Sequence, residues 1–397
     1  MTEPGTATAA ELLRNAAESL PEGALERKLA EDRPLRVKLG IDPTAPDIHL
    51  GHVVVLDKLR EFQDAGHVVV LIIGDYTARV GDPSGRSVER PELASADVDR
   101  NAEAFQSQAY KVIDPDRTEV RRNGEWLDMS MEDLFRLART STVAQLLERD
   151  DFAKRYAARE PISILELLYP LLQGYDSVAV RSDVEIGGTD QKFNLLRARD
   201  IQGAYGQAGQ AVMTMPILPG IDGERRMAKS LGNYVAVTDP PEEAFGKLMS
   251  APDHAMPTYY ELLLHDAVDP AVAAVEAKRA LARRIVARFH GDRAAVDAEA
   301  RFDRIHVERE RPESVPEATL PEQDPVHLPA LIADCFDLSR AEARRLLGQG
   351  GVKLDGEPVD GGRLDLSAAE LEGAVLQIGK RRFVRLGAPA PGPSARH

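Results

Sequence analysis

The chain has 397 residues, more than one ordinary domain holds, so two or three domains with a sizeable core are expected. Apolar residues make up 43% and charged residues 29%, which excludes wholesale disorder and fibrous repeats, and no apolar run approaches the ~20 residues of a membrane-spanning helix. A net charge of −15 argues against nucleic acid gripped over the whole surface and against DNA as a partner, and a single cysteine, Cys335, excludes an internal disulfide or a cysteine metal cluster.

No basic patch followed by an apolar stretch opens the chain, so a cytoplasmic location without a membrane partner is expected. Ala, Leu and Glu recur at helical spacing from about residue 8 to 30 and predict a helical arm over 1–34. Residues 35–41 read as a strand, followed by a turn-rich segment and an amphipathic helix over about 50–63 that Gly66 closes. Residues 68–73 are apolar at every position, as in a parallel strand covered on both faces. Together they form a strand, helix, strand unit and place the chain in the α/β class, doubly wound. The stretch from about 95 to 175 is predicted to be a mostly helical insertion, irregular or hairpin-like around 121–126. Strand signals return at 178–180 and 212–218, and 223–233 is a basic loop, completing a domain over 35–243. A helical domain follows over 244–310, then a linker over 311–325. A small α+β unit spans 326–386, and a disordered tail 387–397.

Two segments carry chemistry. Gly40-Ile41-Asp42-Pro43-Thr44 and His49-Leu50-Gly51-His52 lie at the end of a predicted strand and the start of a helix, where free amides and the helix dipole attract anions. Two imidazoles three residues apart share one face, and Gly51 lets a flat ligand approach the backbone. A nucleoside triphosphate fits; two surface histidines beside a cap are the commoner origin of such a pair. The second segment is Arg225-Arg226-Met227-Ala228-Lys229-Ser230-Leu231-Gly232-Asn233. Cations on a loop that can close suit the charge of a phosphoryl transition state, although a lone basic loop is usually only solvated.

The two segments together resemble the paired signature motifs of class I aminoacyl-tRNA synthetases. Between them stand Gly81-Asp82-Pro83-Ser84-Gly85, Leu168-Tyr169-Pro170-Leu171-Leu172-Gln173-Gly174-Tyr175-Asp176 and Gly187-Gly188-Thr189-Asp190-Gln191. With these the chain is similar to the bacterial tyrosyl-tRNA synthetases over residues 10–386. The resemblance implies a Rossmann-like catalytic domain, a helical anticodon-side domain, a C-terminal RNA-binding domain and a homodimer. It implies ATP with Mg²⁺, L-tyrosine and tRNA(Tyr) as ligands, tyrosyl-adenylate and pyrophosphate as first products, and transfer of tyrosine to the tRNA.

Carried over residue by residue, Thr44, His49 and His52 meet ATP, with Gly40, Asp42, Gly51, Gly188, Asp190 and Met227 around the nucleotide. Arg86, Arg90, Arg226 and Lys229 are the cations that close over the phosphates. Asp82, Tyr169 and Gln173 cradle the substrate ammonium, Asp176 accepts the phenol hydroxyl, and Lys38 and Gln191 complete the tyrosine pocket. Tyr169, Gln173 and Asp176 follow spacings of four and three, one helical face. An unpaired Asp176 would penalise phenylalanine, because a buried polar group would be stranded. No dedicated protein metal site is implied, since Mg²⁺ keeps waters and substrate phosphates as ligands.

The sequence departs from the family pattern at Arg226 and Ala228, where Lys and Ser are usual, and at Lys38, where one branch has tyrosine. Arg keeps the charge but mimics the lysine point charge poorly. These departures leave two rivals open: a specialised paralogue for a modified tyrosine, and a catalytically idle RNA-binding or regulatory homologue. Tryptophan is a weaker substrate candidate than tyrosine. In the C-terminal unit, Ser339 and Glu342 form a capping box, and Arg340, Arg344 and Arg345 lie on or near one face. With Lys380, Arg381 and Arg382 they resemble a small RNA-binding domain that reads structured RNA by shape and phosphate contact. A solvated arginine face is the plainer reading of the same residues.

Overall fold

The computed structural model describes residues 7–43, 46–81, 95–306, 316–321, 323–379 and 382–388. Thr44, Asp82, Arg86, Arg90, Lys380 and Arg381 therefore lie outside the described residues, as do part of the expected linker and most of the expected tail. The chain forms two compact units, Met1–Glu299 and Ala300–His397. Among the described residues, no helix is long and apolar enough to cross a membrane.

The first unit is built on a sheet of six strands: β1 (Glu18–Leu20), β2 (Arg36–Ile41), β3 (Val68–Ile73), β4 (Thr118–Arg122), β5 (Val184–Gly188) and β6 (Ala211–Met215). Their order is β1-β6-β5-β2-β3-β4, all parallel except β1, which runs antiparallel to β6. From β2 the chain winds outward through β3 and β4, then returns to β2's other side with β5 and β6. That reversal opens a crevice at the carboxyl ends of β2 and β5. The β3 sequence Val-Val-Val-Leu-Ile-Ile is buried from its second residue on, as expected of a central strand sandwiched by helices.

Helix Leu50–Asp64 starts at His49, whose extended backbone (φ −114°, ψ 169°) turns the chain into the helix axis. Helix Ile164–Val180 starts at a capping box between Ser163 and Glu166 and ends at Arg181 in the left-handed region. The predicted strand at 178–180 is the last turn of this helix, and the strand lies instead at β5. Likewise the piece expected to be irregular or hairpin-like around 121–126 is the end of β4, the sheet's edge in register with β3, followed by helix Gly124–Leu127. The N-terminal arm is broken into helix Ala9–Leu12, β1 and helix Ala24–Leu29. Asn15 and Gly23, both at positive φ, interrupt the helical run.

The helical region is built from helices Pro241–Ser250, Met256–Leu264, Ala274–His290 and Asp292–His306. It is not detached from the catalytic sheet. Arg288 forks onto the buried Asp57 of the Leu50–Asp64 helix, and Asn15 Nδ2 donates to the Glu261 carbonyl at 2.9 Å.

The second unit holds a five-stranded sheet formed by β7 (Glu317–Thr319), β9 (Val352–Leu354), β10 (Glu357–Pro358), β12 (Val375–Ile378) and β13 (Arg382–Gly387), in the order β10-β9-β12-β13-β7. A two-stranded ladder pairs β8 (Val326–His327) with β11 (Asp365–Leu366). Leu328, Ile332, Leu347, Val352, Leu376 and Leu386 are buried in its own core. β7 pairs with β13 in parallel, so the C-terminal unit starts ahead of residue 326, inside the stretch expected to be linker.

Candidate active site

A cavity of about 360 Å³ lies in the crevice between β2 and β5. Its lining includes Gly40, Asp42, His49, Gly51, His52, Tyr169, Gln173, Asp176, Gly188, Asp190, Gln191, Arg226 and Met227, so residues scattered over the first unit converge on one space. This is the position the sheet order reserves for a ligand.

At one end stand the histidines. The rings of His49 and His52 stack with centroids 3.9 Å apart. The His49 backbone N–H donates to His52 Nδ1 at 3.2 Å, which leaves the His52 proton on Nε2. Burial drives both pKa values down, His49 to about 2 with help from His52, and His52 to about 4. At neutral pH they are uncharged hydrogen-bonding groups, not cations. A Cβ on Gly51 would lie 3.0 Å from the His49 ring, so the absence of a side chain there is what lets the ring lie over the helix start.

The basic loop is strapped to the same helix start. Leu50 N–H donates to the Val235 carbonyl at 3.0 Å and Val237 N–H to the Ile48 carbonyl at 2.9 Å. Asn233, buried, accepts from Ala228 N–H at 2.9 Å and donates to Asp222 at 2.9 Å, so the Arg226–Ser230 bend is anchored at its base. Its cations rest on carboxylates: Arg226 lies 3.4 Å from Asp190, and Lys229 pairs with Asp47. Lys229 itself does not line the cavity.

At the other end is a buried polar network. Tyr169 Oη donates to Asp42 Oδ2 at 2.8 Å, and Thr77 Oγ1 donates to Asp42 Oδ1 at 2.6 Å. Asn123 Nδ2 donates to Thr77 Oγ1 at 2.9 Å, and Trp126 Nε1 donates to Asp176 Oδ1 at 2.8 Å. A Cβ on Gly74 would fall 2.1 Å from Asp42 Oδ1, so this network needs glycine there. Burial pushes the Asp176 carboxyl up to about 7, against the pull of Lys38 and of its hydrogen bonds from Trp126 and Asn123. Gln173, which lines the cavity, has its Oε1 buried with no hydrogen-bond partner among the described residues.

Lys38, expected in the tyrosine pocket, is fully buried and does not line the cavity. Its ammonium is paired at 2.8 Å with Glu185, which does line the cavity. Sequence reasoning missed Thr77, Asn123, Trp126 and Glu185. Trp126 and Asn123 are about 50 residues from Asp176 and meet it only because β4 joins the sheet, so no local spacing signals them.

Residues 30–306 match the family described as tRNA synthetases class I (W and Y). The tyrosine–tRNA ligase of Moorella thermoacetica is 49% identical over 393 residues, covering 94% of each chain. The chain belongs to the tyrosine–tRNA ligase family of class I synthetases. Another family member, tyrosine–tRNA ligase 2 of Vibrio vulnificus strain YJ016, is 47% identical over 96% of this chain and 98% of its own. The fold is that of the tyrosyl-tRNA synthetase of Archaeoglobus fulgidus, solved with L-tyrosine, at a TM-score of 0.60 and 22% identity over 73% of this chain and 97% of that one. A C-terminally truncated mitochondrial tyrosyl-tRNA synthetase of Aspergillus nidulans gives a TM-score of 0.60 at 20% identity over 74% of this chain and 93% of that one.

In the C-terminal unit, Arg340, Arg344 and Arg345 are exposed on helix Arg340–Gly348, with Arg345 3.8 Å from Glu342. Arg382, also expected to face RNA, is exposed; its guanidinium donates to the Phe336 carbonyl and lies 5.2 Å from that ring's centroid.

Proposed function

We propose that the protein activates L-tyrosine with ATP, releasing pyrophosphate, and transfers the tyrosyl group to tRNA(Tyr), in the cytoplasm and as a homodimer. One observation carries the reading: a single cavity has a buried, donor-supported carboxylate, Asp176, at one end and the start of helix Leu50–Asp64 with two neutral histidines at the other. The first end suits a phenol hydroxyl and the second a triphosphate.

A tyrosine carboxylate oxygen attacks the α-phosphorus, a new C–O–P linkage forms, and the bond to the bridging oxygen of the β-phosphate breaks with its electron pair leaving on pyrophosphate. The nucleophile is already an anion, so no general base is required and the protein's work is placement and charge stabilisation. His49 and His52 supply N–H donors at the helix start, where the helix dipole also favours an anion. Arg226 and Lys229 follow when the loop exchanges Asp190 and Asp47 for phosphate oxygens. We assign Asp190 to the ribose, Tyr169 and Gln173 with Asp82 to the substrate ammonium, and Thr44, Arg86 and Arg90 to the leaving pyrophosphate. Mg²⁺ would arrive on the triphosphate, held chiefly by phosphate and water.

The homodimer has support in the first unit. Met131, Phe135, Val143, Tyr156, Ile164 and Leu165 are exposed, Ile164 to 78%, all within 131–165. Apolar side chains bared in one stretch of a soluble fold mark an interaction surface, and a second copy is the occupant we assign.

Amino-acid-dependent pyrophosphate exchange tests the reading across tyrosine, phenylalanine, tryptophan and ring-substituted tyrosines. Strong exchange with tyrosine is expected. A substituted tyrosine outperforming tyrosine would favour the specialised paralogue, and no exchange with any of them the idle homologue.

A further inference from the structure

The Lys38–Glu185 pair at the cavity wall has no part in the chemistry above, yet it is the most deeply buried ion pair among the described residues of the first unit. Lys38 on β2 and Glu185 on β5 are register partners on neighbouring parallel strands and project from the same face of the sheet. Lys38 is 0% exposed and Glu185 1%. The ammonium has three N–H donors. They go to Glu185 Oε1 at 2.8 Å, Ser177 Oγ at 2.9 Å and the Gln173 carbonyl at 3.2 Å. Ser177 in turn donates to Glu185 Oε2 at 3.1 Å, which closes a ring. No donor of Lys38 is left for a substrate.

We propose that Lys38 is a positioning residue for tyrosine: with Glu185 it clamps the helix that carries Gln173 and Asp176 onto the sheet, and it keeps Asp176 an acceptor for the phenol hydroxyl. The proposal rests on the tyrosine reading of the cavity and deepens it. Mechanically, Gln173 and Ser177 are four residues apart, one turn of helix Ile164–Val180, and Lys38 grips both across the turn that presents Asp176. Pro170 removes one helical hydrogen bond in the turn before, so the clamp acts where the helix holds itself less firmly.

Electrostatically, Asp176 is 3% exposed and needs a nearby cation to remain charged. The groups that act on it are Lys38 from β2, Glu185 from β5, and Asn123 and Trp126 from the segment after β4. Asp42 stands one step further, behind Thr77. Of the charged groups that act on Asp176, Lys38 favours its anion and Glu185 opposes it. Remove Lys38 alone and Glu185 is an uncompensated second carboxylate, so Asp176 protonates and turns from acceptor to donor. Remove Glu185 alone and the ammonium acts unopposed. Remove both and the two influences go together.

The molecule contains its own probe. Trp126 is the only tryptophan of the chain, and its Nε1 is hydrogen-bonded to Asp176, so intrinsic fluorescence followed against pH reports that carboxyl without any substrate. The full-length protein, Lys38→Met, Glu185→Gln and the double variant are titrated, with Asp176→Asn as the control that abolishes the transition. The wild-type midpoint is expected near 7. Lys38→Met should raise it by about one unit or more, Glu185→Gln should lower it, and the double variant should return toward wild type. The tyrosine KM in pyrophosphate exchange should rise below the same midpoint in each protein, with the loss in Lys38→Met partly recovered at higher pH. An unmoved fluorescence midpoint in Lys38→Met or in Glu185→Gln overturns the inference. If Lys38→Met does not fold, Glu185→Gln decides by the direction of its shift. Failure of wild-type exchange would instead strike the proposed function, because the fluorescence titration needs no activity.

Discussion

Two neutral imidazoles and one reluctant carboxylate define the site's chemistry. Because burial holds His49 and His52 far below neutral pKa, the role proposed for them on the triphosphate is hydrogen bonding, and its effect would belong to the transition state rather than to amino-acid affinity. His49→Ala and Lys229→Ala are therefore expected to cut the rate of adenylate formation by about 100-fold or more, the usual loss of one preorganised charge-stabilising group, with little change in tyrosine Kd. Single-turnover kinetics beside equilibrium binding checks this, and equal losses in both would remove the two residues from the phosphate end. Asp176→Ala should forfeit most of the preference for tyrosine over phenylalanine, at least about tenfold from the hydrogen bond alone. The same carboxylate is a stability liability. Its folded pKa of about 7 lies above the ordinary 3.8, so the native state holds the proton longer than the unfolded chain. Stability then falls as pH rises from about 4 to 7 and stays low above. Asp176→Asn should melt above wild type at pH 8, with the gap narrowing toward pH 4 in calorimetry. These residues were legible in the sequence because their motifs are local: a helix start, or one face of one helix. Lys38 belongs to the pocket by resemblance, and the cross-strand pairing that takes up its ammonium, with Glu185, is invisible to local spacing.

Between residue and molecule, the elements show where local pattern stops being informative. A β-branched apolar run at 178–180 has the look of a strand, yet the capping box at Ser163 and Glu166 starts a helix that carries through it and packs on helix Lys192–Ala204. Strand β4 is the opposite case. Thr-Glu-Val-Arg-Arg carries too little apolar surface to announce a strand, and it forms one because β3 offers its edge. That pairing matters for function, since it delivers Asn123 and Trp126 to Asp176. In the insertion, helix Met131–Ala138 leaves Met131 and Phe135, four residues apart, on its exposed face at 62% and 56%. If a second copy covers them, Phe135→Glu together with Ile164→Glu should lower the measured mass in sedimentation from dimer to monomer while unit cores stay intact. A wild-type chain that sediments as a monomer would reject this face as a dimer surface.

At the scale of the whole molecule, the chain forms two compact units, to which we assign different tasks. The first holds the cavity and every described residue of the candidate active site, and the second has its own apolar core around Leu331, Ile332, Leu347 and Leu376. We propose that its exposed Arg340, Arg344 and Arg345 meet RNA phosphates; Arg382, also exposed, donates to the Phe336 carbonyl. Phosphate contacts add salt-sensitive RNA affinity, with each neutralised phosphate steepening the dependence, and leave the adenylate pocket untouched. The cut that separates the two functions must fall ahead of β7, because that strand belongs to the C-terminal sheet. A chain ending at residue 315 should therefore retain tyrosine-dependent pyrophosphate exchange but charge tRNA poorly, and the deficit should grow as salt is raised. Arg344→Glu with Arg345→Glu in the full chain should reproduce the charging defect with exchange preserved, which separates loss of the cations from loss of the fold. Wild-type charging by both proteins at every salt concentration would return these arginines to a solvated helix face.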